Sequence, residues 1–126
     1  MRLLLDTHAL LWWFGDDSKL TASAIAAISD PDNFVGVSAA SIWEVAIKVK
    51  IRRLTVPADF DARVAAAPLE PLPVTHRHAF VAGGLPLHHD DPFDRMLVAQ
   101  AQREGLTLLT SDVRITRYAV AVLPAS

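Results

Sequence analysis

Apolar positions along this chain fall into two alternating kinds of run. Short blocks at RLLL (2–5), within NFVGVSAAS (33–41), at TLLT (107–110) and at AVAVLP (119–124) are closed at once by polar residues, as buried parallel strands are. Between them lie longer stretches with helical spacing. ALLWWF carries the first block into a helix, until Gly15, Asp16 and Asp17 break it. A second helix is predicted from Thr21 to Ser29, before the Asp30-Pro31 turn, and a third from about Ser41 to Ile51, with Ser38 or Ser41 as its cap. Pro57 to Ala67 reads as a fourth, with Asp59 and Asp61 in its first turn and Pro68 as its stop.

LEPLPV (69–74) reads as extended, and THRHAFVAG (75–83) as a short helix closed by Gly83 and Gly84. LPLHHD (85–90) is then a loop leading into a helix that begins at Pro92, and a helical turn covers Val113 to Arg117. Strands alternate with helices throughout. The expected fold class is therefore α/β, a three-layer arrangement with a central, mostly parallel sheet and helices on both faces. At 126 residues the chain is expected to form a single domain, 1–126, around one hydrophobic centre.

Composition places the chain in the globular class, with 52% hydrophobic and 21% charged residues. A net charge of -2 gives no general attraction to polyanions, so any nucleic acid must meet a local patch. KVKIRR (48–53) gathers four of the twelve cations, and Arg114 with Arg117 makes a smaller group. Such cations also complement a helix dipole at its carboxyl end, which is the plainer account. The lack of cysteine excludes disulfides, thiolate metal sites and thiol nucleophiles, and makes a reducing, cytoplasmic setting the default. MRLLLDTHALLWWF superficially suggests a signal sequence, but Asp6 and His8 interrupt it and no small-residue cleavage site follows. No uncharged apolar run reaches the roughly 20 residues of a membrane span.

The candidate chemistry starts at DDPFDRMLVAQA (90–101). Asp91 before Pro92 is a helix start: the carboxylate accepts free amide hydrogens, and proline takes the position where its missing donor costs nothing. Asp94 then falls in the first turn. At about 100° per residue it points the same way as Leu97, Val98 and Ala101, toward the sheet. Burying a lone carboxylate costs several kcal/mol, against roughly 1 kcal/mol from a cap, so Asp94 needs a proton, a cationic partner or a metal ion.

Asp6 directly follows RLLL, and Asp112 comes two residues after TLLT, so both should project from the carboxyl edge of the sheet, where open α/β sheets bind ligands. Each alone could be a cap or an Asx turn. Together with an inward Asp94 they suggest a shared site, and carboxylates that share a site stay ionised only when a cation compensates them. Oxygen-only donors favour Mg²⁺ or Mn²⁺ over zinc. Glu44 is ambiguous, because its helix is apolar over much of its circumference and Lys48 offers an ordinary i,i+4 pair.

Taken in order, LLLDTHALLWW, SIWEVAIK, HHDDPFDRMLVAQA and TLLTSD make the chain resemble the PIN-domain ribonucleases, and more closely the VapC toxins of bacterial type II toxin-antitoxin systems. The likeness runs from residue 2 to the last strand. It implies a negatively charged pocket of Asp6, Glu44, Asp94 and Asp112 holding one or two Mg²⁺ or Mn²⁺ ions. Asp6 and Asp94 match the most direct ligands, Asp112 a more weakly coordinating fourth acid, and Thr7 and Thr110 small hydroxyl residues that support the pocket. It implies RNA as substrate, a cognate VapB-like antitoxin as partner, and a homodimer. Relatives with the DPFDR motif usually carry a basic residue just before it; here Asp90 stands there.

Metal ions held by carboxylates can activate water and neutralise a phosphodiester without any side-chain nucleophile. Asp6 and Asp94 are expected to anchor the principal ion, with Glu44 and Asp112 completing the site, and KVKIRR, Arg114 and Arg117 as contacts to flanking phosphates. His88 and His89 could act as general bases, although the metal route already supplies the water; His8, His76 and His78 are expected to pack or meet solvent. Trp12, Trp13 and Phe14 belong either to an apolar interface or to the core.

Two other classes of function fit parts of this pattern. A phosphoryl-transfer enzyme with an aspartyl nucleophile also places an acid after its first strand, but wants a second aspartate where this chain has His8. A non-catalytic binding module would use the same acids only as caps.

Overall fold

Three leucines in a row, Leu3 to Leu5, are fully buried although a strand's side chains alternate between faces, so both faces of β1 (Arg2–Leu5) must be covered. The computed structural model, which describes residues 1–126, puts β1 at the centre of a five-stranded sheet. Its order is β3-β2-β1-β4-β5, with β2 (Phe34–Ser38), β3 (Glu70–Leu72), β4 (Thr107–Thr110) and β5 (Val122–Pro124). Every pairing is parallel, so the sheet expected to be mostly parallel is wholly so.

The alternation of side chains sorts the core into two layers. Leu3, Leu5, Val35, Val37 and Leu109 pack with residues of α1 (Thr7–Phe14), α2 (Ala22–Ser29), α3 (Ala39–Lys50) and α4 (Phe60–Ala66). Leu4 and Leu108 pack instead with Leu97, Val98 and Ala101 of α6 (Pro92–Glu104), on which α5 (His76–Gly84) lies. Trp12, Trp13 and Phe14 are partly buried against the first layer and contribute to its packing. No helix is long and apolar enough to cross a membrane.

The order of the strands creates the functional edge. From β1 the chain steps outward through β2 and β3, then returns to place β4 on the other side of β1. The connections after β1 and β4 therefore diverge, leaving a crevice at the carboxyl ends of these strands. Asp6 and Asp112 sit in those two connections.

Several boundaries differ from the sequence expectation. Ser38, not Ser41, caps α3, accepting the Ala40 amide at 3.0 Å, so the helix starts at Ala39. The fourth helix starts at Phe60 rather than Pro57; Asp59 makes no capping bond and pairs with Arg63 at 3.0 Å. Gly83 and Gly84 do not close α5 but belong to it, without positive φ, and the chain turns extended only at Leu85. The last strand keeps only residues 122–124 of AVAVLP. By contrast Gly105, at φ 66°, ends α6 in the left-handed conformation that glycine adopts without penalty.

Candidate metal centre

Four carboxylates reach the crevice from four elements. Asp6, the first residue past β1, caps α1 by accepting the Ala9 amide at 2.8 Å, and the Thr110 hydroxyl at the end of β4 bonds to the same carboxylate. Burial nonetheless dominates and lifts Asp6 above the ordinary carboxylate range, with the charge of Glu44 acting in the same direction. Glu44 is buried in α3 with both oxygens engaged: Thr7 donates its hydroxyl to Oε1 at 2.6 Å, and Lys48, one turn on, meets Oε2 at 2.6 Å. The i,i+4 pair foreseen from sequence is thus present. Its acid, however, faces inward.

Asp94 stands in the first turn of α6, behind the cap that Asp91 makes by accepting the amides of Phe93 at 2.8 Å and Asp94 at 3.0 Å. Its side chain is 22% exposed, and its one polar side-chain partner is His89. Burial first, then the negative charges of Asp91, Asp6 and Glu44, push its pKa from 3.8 to about 7, with His89 pulling the other way. Asp112 has the opposite balance. Burial works against its charge, but hydrogen bonds from the Arg114 guanidinium at 3.2 and 3.3 Å, the Arg114 amide at 2.9 Å and His89 hold it below the usual range.

His89 joins the last two acids. Its Nε2 lies 2.9 Å from Asp94 Oδ2 and 2.9 Å from Asp112 Oδ2, with the ring itself almost completely buried. The Asp91 amide donates to Nδ1 at 3.2 Å, so that nitrogen carries no proton and the hydrogen sits on Nε2. The atoms of His89, Asp94 and Asp112 fall within 4.8 Å of one another, a spacing that suits a metal ion. With its proton on Nε2, however, His89 acts here as a donor to Asp112, with Asp94 close beside it, rather than as a ligand.

The loop that carries His89 is held from behind. Arg95 donates from Nη2 to the carbonyls of Ala82, Leu85 and Gly83 at 2.9, 3.0 and 3.3 Å, and from Nη1 to those of Pro86 and His89 at 3.0 and 3.2 Å. Tyr118 donates its hydroxyl to Pro86 at 2.7 Å and accepts the His89 amide at 3.0 Å. The loop itself lies at the surface, with only His89 buried, so these bonds to its carbonyls are what fix its course.

All four predicted acids therefore face one edge, but not equally. Asp94 and Asp112 share the tight grouping through His89, whereas Asp6 and Glu44 lie within electrostatic reach of Asp94. Thr7 and Thr110 are buried and bonded to Glu44 and Asp6, in the supporting positions expected. Of the expected phosphate contacts, Arg114 is engaged by Asp112 and Lys48 by Glu44, leaving Lys50, Arg52, Arg53 and Arg117 exposed. Asp90 is fully exposed, and His88 packs edge-on against Tyr118 at 5.0 Å. His8, where a phospho-aspartate enzyme would carry its second acid, is exposed and stacks on Trp12.

Sequence reasoning undervalued His89 and saw no role for Arg95. The signal for His89 was its place two residues before a helix cap, which aims it back over the helix start. The donor set fits a hard divalent cation: four carboxylates, two of them raised in pKa by burial and by neighbouring carboxylates, are an arrangement that an ion would relieve. A cavity of about 570 Å³ is lined instead mostly by apolar residues of β2, β3, α3 and α4, and none of the four acids borders it.

Comparison with known proteins identifies the family and the fold. The family model described as PIN domain matches residues 3–121. Ribonuclease VapC22 of Mycobacterium tuberculosis is 31% identical over 119 residues, covering 92% of this chain and 91% of that protein. Among solved structures, VapBC2 from Rickettsia felis bound to a promoter DNA fragment superposes with a TM-score of 0.71 at 15% identity, each chain covered fully. FitAcB from Neisseria gonorrhoeae gives 0.69 at 17% identity, over 97% of this chain and 96% of the other.

Proposed function

This chain belongs to the PIN-domain family and is a VapC-type ribonuclease toxin; from that premise we propose that Asp6, Glu44, Asp94 and Asp112 bind Mg²⁺ or Mn²⁺ and direct hydrolysis of RNA phosphodiester bonds. The observation that carries the site assignment is Asp94, a largely buried carboxylate raised to about 7 with only an imidazole for company. A divalent ion bound there would supply charge to the phosphate and an acidified water.

The chain's own residues prepare that chemistry. Thr7 and Lys48 fix the two oxygens of Glu44, so its carboxylate is oriented before anything binds. The Ala9 amide holds Asp6 Oδ1, and the Thr110 hydroxyl supports the same carboxylate. Asp94 keeps Oδ1 free of protein donors, which makes it the carboxylate with most to gain from a cation. Arg114 keeps Asp112 ionised. The exposed cations after Lys48 are placed to meet phosphates away from the acids, where charge repulsion is weaker. A protein antitoxin is the partner that the kinship with toxin-antitoxin complexes supports; we further propose a homodimer.

Asp94→Asn tests this reading. It should abolish Mn²⁺-dependent RNA cleavage and weaken Mn²⁺ binding in calorimetry while leaving the circular dichroism unchanged. A purified variant that cuts as well as the parent would remove Asp94, and the site built around it, from the reaction.

A further inference from the structure

Three tryptophans occupy the chain, and they are treated differently. Trp12 and Trp13 are partly buried against the core, whereas Trp43 in α3 is 65% exposed. Its one aromatic neighbour is Phe93 of α6, with ring centroids 5.4 Å apart and planes at 72°. Perpendicular contact props the indole against α6 and leaves most of it in solvent, a costly place for the largest apolar side chain. Its position gives the exposure a meaning. Trp43 immediately precedes Glu44 and Phe93 immediately precedes Asp94, so the pair marks the rim of the carboxylate crevice.

We propose that Trp43, braced by Phe93, is a stacking platform for a nucleobase of single-stranded RNA next to the phosphate that is cut. The inference rests on the ribonuclease reading and adds a substrate subsite to it. The crevice's carboxylates on a chain of net charge -2 repel a polyanion wherever a bound ion does not compensate them, so a contact independent of charge helps to hold the strand beside the cut. Stacking is indifferent to that repulsion, and every base offers a face, provided the strand is unpaired. Lys50 lies seven residues on from Trp43, on the same stripe of α3 and about 10 Å along it. Both are exposed. A π surface at the crevice followed by an ammonium two turns away suits a base and a more distant phosphate of one strand.

The test is fluorescence anisotropy with a labelled single-stranded oligoribonucleotide, in an Asp94→Asn background so that the strand stays whole. Trp43→Ala should weaken binding by about 5- to 100-fold, and Trp43→Phe, which keeps a ring, by no more than about 3-fold. Replacing one nucleotide by an abasic residue should weaken binding by a similar factor and make Trp43→Ala neutral. Binding within about 2-fold after Trp43→Ala overturns the platform. So does a shift from dimer to monomer on sedimentation without loss of RNA affinity, which would place the indole at a protein interface. Should the unmodified protein with Mn²⁺ cut no RNA at all, the ribonuclease reading fails as well; cleavage with unchanged KM in Trp43→Ala removes the platform alone.

Discussion

Asp6 and Glu44, on one side of the crevice, draw their donors from regular elements: a helix amide, two threonine hydroxyls and a lysine one turn away. Asp94 and Asp112, on the other side, share a single imidazole delivered by the loop before α6, and that loop holds its shape through Arg95 and Tyr118. The first pair is set as soon as β1, α1, α3 and β4 assemble. The second depends on a guanidinium that never approaches the crevice, and so can be disturbed from a distance. Preorganisation and adjustability are thus divided between the two walls of one site.

The largest expected effect concerns the charge that the second wall tolerates without an ion. Asp94 titrates near 7 in the fold against 3.8 for the ordinary group, so its stabilising contribution is complete below about pH 4 and is lost as pH rises through 7. In EDTA, the parent and Asp94→Asn should therefore be alike in stability near pH 4. At pH 8 the parent should be the weaker, by an amount on the order of 3–4 kcal/mol. Urea titrations at the two pH values read the difference directly, and Mn²⁺ should close the gap at pH 8. A gap that does not change with pH would mean that the second wall is not strained.

Arg95→Ala should come next, costing about 2–3 kcal/mol in urea titrations, because several loop carbonyls lose a charged donor at once. It should also reduce cleavage, although Arg95 touches none of the acids. Unchanged cleavage would show that the loop keeps His89 in place by itself. Thr7→Val, on the first wall, should cost about 1–2 kcal/mol, since Glu44 Oε1 loses its donor while buried. Lys48→Met should cost about as much, 1–2 kcal/mol, because the buried Glu44 Oε2 likewise loses its donor while the lysine end of the pair is partly screened. If these last two exceeded Arg95→Ala, the contrast between the walls would be reversed.

Much of this was legible from the chain. RLLL, TLLT and the Asp91-Pro92 start are local signals, and they place Asp6, Asp112 and Asp94 because each acid stands at a fixed offset from an element's end. Glu44 was not resolved by its helical wheel, since α3 is apolar around most of its circumference; only the Thr7 hydroxyl, 37 residues earlier, shows which way it faces. His89 looked like a loop histidine because its partner Asp112 is 23 residues away. Arg95 attracted no reading, because its bonds to backbone carbonyls leave no trace in composition or periodicity. Gly83 and Gly84 misled for a related reason: glycine permits a helix stop without requiring one.

Periodicity and punctuation, then, determined by themselves that this chain makes an α/β sheet with acids at its carboxyl edge, since strand alternation, helix spacing and capping all act within a few residues. The tertiary structure alone decided which of those acids would be buried together, which imidazole would join them and which indole would be left open to solvent. Those outcomes depend on the burial and charge that distant segments impose on one another, and neither exists until the segments meet.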